Sequence, residues 1–109
     1  KGILKQHIIL DPGIGFGKTV HHNLVLINCL EKLQALGFPI LMGPSRKSFI
    51  QFTLNRDTPE EIKKDPEKIE TGTLAAVGAC LSKGAHIVRV HDVARAVTFS
   101  RVFDAIRNA

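Results

Sequence analysis

The sequence predicts an α/β fold with parallel strands and helices packed outside them, built from three successive βα units. Three observations carry that prediction. Short apolar runs end in Gly, Pro, Asp or Ser loops at three places, a segment of helical spacing follows each, and the runs lack the polar alternation that would let one sheet face meet water. Strand, helix, strand, helix, strand, helix in that order requires parallel strands joined by right-handed crossovers.

Residues 6–10 form a β-branched apolar run cut off by Asp11-Pro12-Gly13, the pattern of a buried strand and its loop. Between 20 and 36, Val20, Leu24, Ile27, Leu30, Leu33 and Leu36 recur every three or four residues, and Gly37 supplies the C-terminal stop of one long helix. Residues 38–42 give a second strand, closed by Gly43-Pro44-Ser45, and Ser45 is expected to cap a helix through Phe49, Ile50 and Leu54. Thr58-Pro59-Glu60-Glu61 has capping-box spacing with Pro at the first helical position. Asp65-Pro66 repeats the signal ahead of a helix through Ile69, Leu74, Val77 and Leu81 that ends at Gly84. Residues 87–91 are the third strand. Asp92 then caps a last helix with Arg95, Thr98, Arg101 and Asp104 on one stripe and Val93, Val97, Val102, Phe103 and Ile106 on the rest. Three strands neither close a barrel nor bury both faces of a sheet, so further strands or a second copy are expected to cover them.

A chain of 109 residues is one domain's worth, with 44% hydrophobic residues for a core. The longest apolar and small run, residues 72–81, is about half of the roughly 20 that a membrane span requires. Lys1 opens the sequence, and residues 1–7 have neither the apolar core nor the cleavage site of a signal peptide. The chain is therefore read as an excerpt, a single partial domain over 1–109. Cys29 and Cys80 stand far apart in apolar helical stretches without any C-x-x-C, and are read as reduced, buried hydrophobes of a cytoplasmic protein. The net charge of +5 is dispersed: four bases and six acids lie between Arg56 and Glu70, and four Arg follow from Arg89 onward. Without a run of like charge, and without Trp or Tyr to stack bases, a nucleic-acid partner is poorly supported.

Chemically active residues come just after each strand: Asp11 in the first unit, Ser45, Arg46 and Lys47 in the second, Arg89 and His91 in the third. In parallel α/β folds the strand carboxyl ends carry the site, so three clusters at matching positions point to one pocket. Arg89 and His91 are two apart on a strand and leave the same face, opposite Val88 and Val90. Buried together at a helix start, they would form an anion site. Gly13, Gly15 and Gly17 match neither the P-loop nor the dinucleotide fingerprint, because Pro12, Lys18 and Val20 stand where glycine is needed. They do allow a tight, mobile loop that brings Phe16 over a flat ligand. Plainer readings stand beside these: Asp11 as the cap of its Pro-Gly turn, Lys18 and Lys47 as solvated residues, Arg89 with His91 as a structural pair. His21 and His22 face different directions on a solvated helix start, and His7 and His86 are structural at the opposite strand ends.

Asp11-Pro12-Gly13-Ile14-Gly15-Phe16-Gly17-Lys18, then Gly43-Pro44-Ser45-Arg46-Lys47-Ser48, then Gly72-Thr73-Leu74-Ala75-Ala76 leading to Val88-Arg89-Val90-His91-Asp92-Val93, resemble the dihydropteroate synthase family in order and spacing. The match covers nearly the whole chain. It implies the C-terminal three βα units of a TIM (β/α)8 barrel, an incomplete barrel, since a full one runs to roughly 250 residues. It also implies a transferase of folate synthesis that joins p-aminobenzoate to 6-hydroxymethyl-7,8-dihydropterin diphosphate and releases diphosphate. By that resemblance Asp11 would hold the pterin ring, Lys47 the pterin carbonyl beside the p-aminobenzoate site, and Phe16 the aromatic amine. Gly43 would give the ring room, Ser45 and its helix N-terminus would meet the p-aminobenzoate carboxylate, Gly17 and Arg46 would belong to the same substrate-binding set, and Arg89 and His91 would hold the diphosphate. Mg2+ would be bound mainly through the diphosphate and residues outside this sequence, with no metal ligand set within it. The resemblance further implies a homodimer through the C-terminal helices, and a 109-residue piece inactive by itself. The alternatives are the pterin-binding domain of a corrinoid methyltransferase, which has the strand-end Asp but no use for an Arg-x-His clamp, and a non-catalytic scaffold homologue.

Overall fold

Parallel pairing follows the order of elements. In the computed structural model, which describes residues 2–56 and 65–109, β1 (Leu41–Met42) lies parallel to β2 (Ile87–Val88), with Leu41 opposite Ile87 and Met42 opposite Val88. On the other edge of β1, Leu10 forms a single parallel bridge to Ile40, its N–H donating to Pro39 O and its carbonyl accepting from Leu41 N–H. Spatial order across the sheet is thus chain order. The pairing is shorter than expected. Residues 6–10 do not form a strand: Lys5–His7 is a 3-10 turn and Ile9 is exposed. A segment paired on one edge alone has little to hold it extended, and of residues 6–10 only Leu10 keeps a bridge.

Around the sheet lie α1 (Val20–Asn28), α2 (Glu31–Gln34), α3 (Ser48–Leu54), α4 (Pro66–Ser82) and α5 (Val93–Arg107). The single helix expected over 20–36 is broken. A tight turn at Cys29, in which Leu30 N–H donates to Ile27 O, drops Leu30 fully into the core instead of continuing the helix. Leu24 and Leu36, counted on the apolar stripe, stay exposed, while Gly37 takes φ +82 and ends the segment as expected. Thr19 caps α1 by accepting from His22 N–H, and His21 and His22 are exposed. Asp65 caps α4 and Asp92 caps α5, their carboxylates accepting from Lys68 and Arg95 N–H at 3.2 and 3.1 Å. The capping box at 58–61 lies outside the described residues.

The core gathers Ile14, Ile27, Leu30, Ile40, Met42, Phe49, Ile50, Cys80 and Ala85, with Val88 packed against it. At its strand-amino end the His86 ring accepts the Ile40 N–H through Nδ1 at 3.1 Å, a structural role. The described residues extend over 49 × 35 × 20 Å. Along α5, Val93, Val97, Val102 and Ile106 stay exposed, so only part of its apolar surface finds a partner among the described residues.

The two thiols differ. Both are free, but Cys29 is only half-buried, against expectation, because the chain turns there, whereas Cys80 is fully buried and desolvation pushes its thiol up from 9.0 to about 12. The protonated thiol is the folded form, so this group's stabilising contribution is complete below about pH 9 and is lost as pH rises toward about 12. Near pH 8 a thiol reagent is expected to label Cys29 in the folded protein, and Cys80 only after denaturant is added. Equal labelling rates would contradict this packing.

Candidate functional site

The first loop leaves the bridge at Leu10 and folds back on three glycines, Gly13, Gly15 and Gly17, each at a positive φ that a side chain would disfavour. Asp11 Oδ1 accepts from Gly13 N–H at 2.9 Å, the turn-capping bond its Pro-Gly context suggests. Deeper in, the buried Asn23 of α1 accepts Gly15 N–H at 2.8 Å, and Ile14 drops into the core. Lys18 Nζ donates to Gly13 O and Phe16 O, so it is a loop brace rather than a free surface charge. Phe16 stands at the tip, 66% exposed. Sequence reading missed Asn23. Its signal was a polar residue four positions before Ile27 on the buried stripe, where a polar group needs a partner.

The second loop runs from Gly43 to Lys47. Ser45 does not cap α3, contrary to expectation: Lys47 occupies the N-cap position and no side chain bonds there. Ser45, 4% exposed, turns instead toward the third strand, where its Oγ accepts His91 N–H at 3.1 Å and shares a hydrogen bond with His91 Nδ1 at 2.8 Å. A hydroxyl with a neighbouring strand in reach satisfies that strand in preference to a short helix end. Lys47 points the other way. Its stem packs at Gly15, its Nζ donates to Ile14 O at 3.1 Å, and the ammonium sits 4.5 Å from the Phe16 ring centre. Arg46 lies between them at φ +55, with its N–H donated to Thr73 Oγ1 and its Nε to Glu70 Oε1.

The third cluster follows β2. Arg89 and His91, expected to be buried and facing the interior, are both exposed, because no further strand among the described residues covers that edge. Arg89 N–H donates to Met42 O and continues the pairing. Its guanidinium lies against Gly43: a Cβ at that position would come 3.0 Å from Nη2 and 3.3 Å from Nε. Among the described residues no carboxylate pairs with it.

The candidate residues thus follow the carboxyl ends of residue 10, β1 and β2, on one rim. Two assemblies form there. Phe16 and the glycine loop join Lys47, and Gly43 and Ser45 join Arg89 and His91, with the turn 45–47 common to both; Asp11 is tied in through Gly13. No group of three His, Cys, Asp or Glu side chains able to hold a metal comes together among the described residues. No helix among them is long and apolar enough to cross a membrane. A cavity of about 380 Å³ lies among α1, α3 and α4, lined by residues such as Leu24, Phe49, Leu54 and Ala76, and none of the candidate residues borders it.

The chain is similar to known proteins. The family described as pterin binding enzyme matches residues 1–91. The dihydropteroate synthase of Synechocystis is 48% identical over 105 residues, 96% of this chain and 34% of that protein. That of Bacillus subtilis is 45% identical over 107 residues, 98% of this chain and 35% of its own length. Among solved structures, the Yersinia pestis enzyme with a pterin–sulfa conjugate superimposes with a TM-score of 0.87 at 37% identity, covering 99% of this chain and 39% of that one. The Xanthomonas albilineans dihydropteroate synthase in complex with 7,8-dihydropteroate gives 0.84 at 38% identity, with coverages of 99% and 38%. The chain therefore spans about a third of the length of the curated relatives it matches. A parallel α/β layout, a glycine loop braced to a lysine turn, and a family match over most of the sequence lead to one conclusion: this chain belongs to the pterin-binding enzyme family.

Proposed function

We propose that this chain is the C-terminal three βα units of a (β/α)8 barrel whose activity is dihydropteroate synthesis. The observation that carries the reading is the Arg89 guanidinium, which no carboxylate among the described residues pairs, held beside Gly43 on the same rim as the Lys47–Phe16 assembly, with His91 fixed next to it by Ser45. That rim suits a substrate with a flat ring at one end and a strongly anionic leaving group at the other. In the reaction the bond from the pterin methylene carbon to the diphosphate oxygen breaks and its electron pair leaves with diphosphate. The arylamine nitrogen of p-aminobenzoate then bonds to that carbon and gives up a proton to solvent. Arg89 and His91 stabilise the charge growing on the leaving oxygen, the electrostatic task that supplies most of the rate in many enzymes. The Asp11 oxygen not engaged by Gly13 faces the pterin, where a carboxylate stabilises positive charge on the ring. Lys47 reaches the pterin carbonyl, Phe16 and Gly17 cover the arylamine, and Gly43 leaves the ring room.

In this reading Ser45, bonded to His91, orients that ring, and Arg46, paired with Glu70 through Nε, offers the p-aminobenzoate carboxylate its remaining nitrogens. Mg2+ would belong with the substrate diphosphate, whose charge it would offset. We further propose a cytoplasmic protein, in keeping with its two free thiols, that pairs through its C-terminal helices, where Val102 and Ile106 are 61% and 73% exposed.

The test supplies the complete barrel with the dihydropterin diphosphate and p-aminobenzoate. Equimolar dihydropteroate and diphosphate are expected, with no turnover by the 109-residue chain alone. A complete protein that turns over neither substrate and fails to bind diphosphate overturns the reading, in favour of a corrinoid methyltransferase domain or a scaffold. Sedimentation at micromolar concentration is expected to show a dimer, and a monomer would remove the pairing.

A further inference from the structure

Gly72 and Thr73, which open the Gly72-Thr73-Leu74-Ala75-Ala76 motif, carry no role in the proposed chemistry. Their position in α4 explains what they do. Gly72 lets α4 approach α3 so closely that a Cβ there would lie 2.6 Å from Ile50 Cγ2. One residue on, Thr73 is 2% exposed and turned toward the loop after β1, where its Oγ1 accepts the Arg46 N–H at 3.1 Å. One turn earlier, Glu70, 7% exposed, accepts from Arg46 Nε at 2.9 Å. Arg46 is the only non-glycine residue with positive φ among the described residues, at +55. A residue with a Cβ visits that region at a cost, and holds it only where its surroundings over-determine it.

We propose that Glu70 and Thr73 are positioning residues for the synthase reaction, holding Arg46 in its left-handed conformation so that Ser45 and Lys47 point to opposite halves of the site. This rests on the function proposed above. The reason lies in the turn itself. Successive side chains of an extended strand alternate across the sheet, and a strand continued through Ser45 and Lys47 would send both to the same face. A left-handed residue between them breaks that rule. Ser45 then reaches His91 in the third unit, and Lys47 reaches Ile14 and Phe16 in the first. The backbone N–H and the guanidinium of Arg46 are gripped by the same face of one helix, one bond fixing its backbone and the other its side chain. The grip therefore reaches both substrate halves through Arg46 alone, and neither Glu70 nor Thr73 hydrogen-bonds to Ser45 or Lys47.

The experiment uses the complete enzyme and four variants: Thr73→Val, Thr73→Ser, Glu70→Gln and Gly78→Ala. Valine keeps the volume of Thr73 and removes its acceptor. It is expected to lower kcat/KM for both substrates together by about ten- to a hundredfold, the penalty of a small displacement of reacting groups. Serine restores the oxygen and is expected to stay within about threefold of wild type. Glutamine keeps an acceptor for Arg46 but no charge, and is expected to fall between the two. Gly78→Ala controls for plain destabilisation: its Cβ would press to 2.9 Å from Phe99 Cζ at the α4–α5 contact, far in sequence from the turn. It is expected to lower the Tm without changing kcat/KM at 25 °C. Thr73→Val with wild-type kinetics, or a loss that Thr73→Ser does not rescue, or an equal kinetic loss in Gly78→Ala, overturns the proposal. A wild-type enzyme without synthase activity instead overturns the function on which it rests, and the two failures are read from different proteins.

Discussion

Arg89→Ala is expected to lower kcat of the complete synthase by about 10²- to 10³-fold, the usual cost of removing one donor from a developing oxyanion. Its Tm is expected to stay nearly unchanged, because no carboxylate among the described residues depends on the guanidinium. Structural arginines behave in the opposite way: truncation strands a buried partner and the fold loosens first. Arg89→Lys is expected to recover only part of the loss, since a point charge lacks the planar fork that grips two oxygens at once. Gly43→Val provides an independent arm. A Cβ at Gly43 would press on Nη2 and Nε of Arg89, so the valine is expected to push the guanidinium aside and reproduce much of the alanine defect with Arg89 still present. Steady-state assays with saturating p-aminobenzoate check both. Wild-type kcat in Arg89→Ala would return the third cluster to a structural pair and favour the scaffold alternative.

Lys47→Ala is expected to cost about a hundredfold in kcat/KM for the pterin substrate. This side chain does two things at once. Its ammonium donates to Ile14 O and lies over Phe16, and its stem fills the space at Gly15, where a built Cβ would come within 3.1 Å of Cδ. Lys47→Met separates them, because methionine keeps the stem and loses the charge and the donor. Limited proteolysis of the loop at 13–18 is expected to accelerate in the alanine variant and much less in the methionine one, whereas activity is expected to fall in both. A methionine variant with full activity would reduce Lys47 to a prop for the loop. The brace at Lys18 and the bond from Asn23 to Gly15 remain in either variant, which is why the loop is expected to loosen rather than unfold.

Local sequence set a good deal of this molecule. Asp65 and Asp92 cap their helices where an acid precedes the apolar periodicity, Gly37 stops its segment in the left-handed region, and polar clusters follow the apolar runs at residue 10, β1 and β2. Such features depend on neighbours within four residues, and periodicity reports them directly. Periodicity alone misjudged 20–36, because Leu24 and Leu30 look equivalent on a helical stripe. Only packing decided that Leu30 is fully buried through a broken turn while Leu24 faces outward.

The site divides in the same way. Sequence determined which residues stand at the strand ends: the carboxylate at 11, the Ser-Arg-Lys turn, and the Arg-x-His pair. It determined none of their partners. Ser45 reads as a helix cap by local rules, yet its hydroxyl goes to His91, 46 residues away. Asn23, Glu70 and Thr73 read as ordinary helix positions, yet Asn23 and Thr73 hold the backbone of two loops and Glu70 holds the Arg46 side chain. The physical reason is that a polar side chain takes whichever donor or acceptor its burial brings within about 3 Å, and burial is a property of the assembled layers rather than of the local chain. Chain order thus determined the parallel α/β layout and the rim that bears the chemistry, and the packing of α4 against the loop after β1 decided how the groups on that rim are aimed.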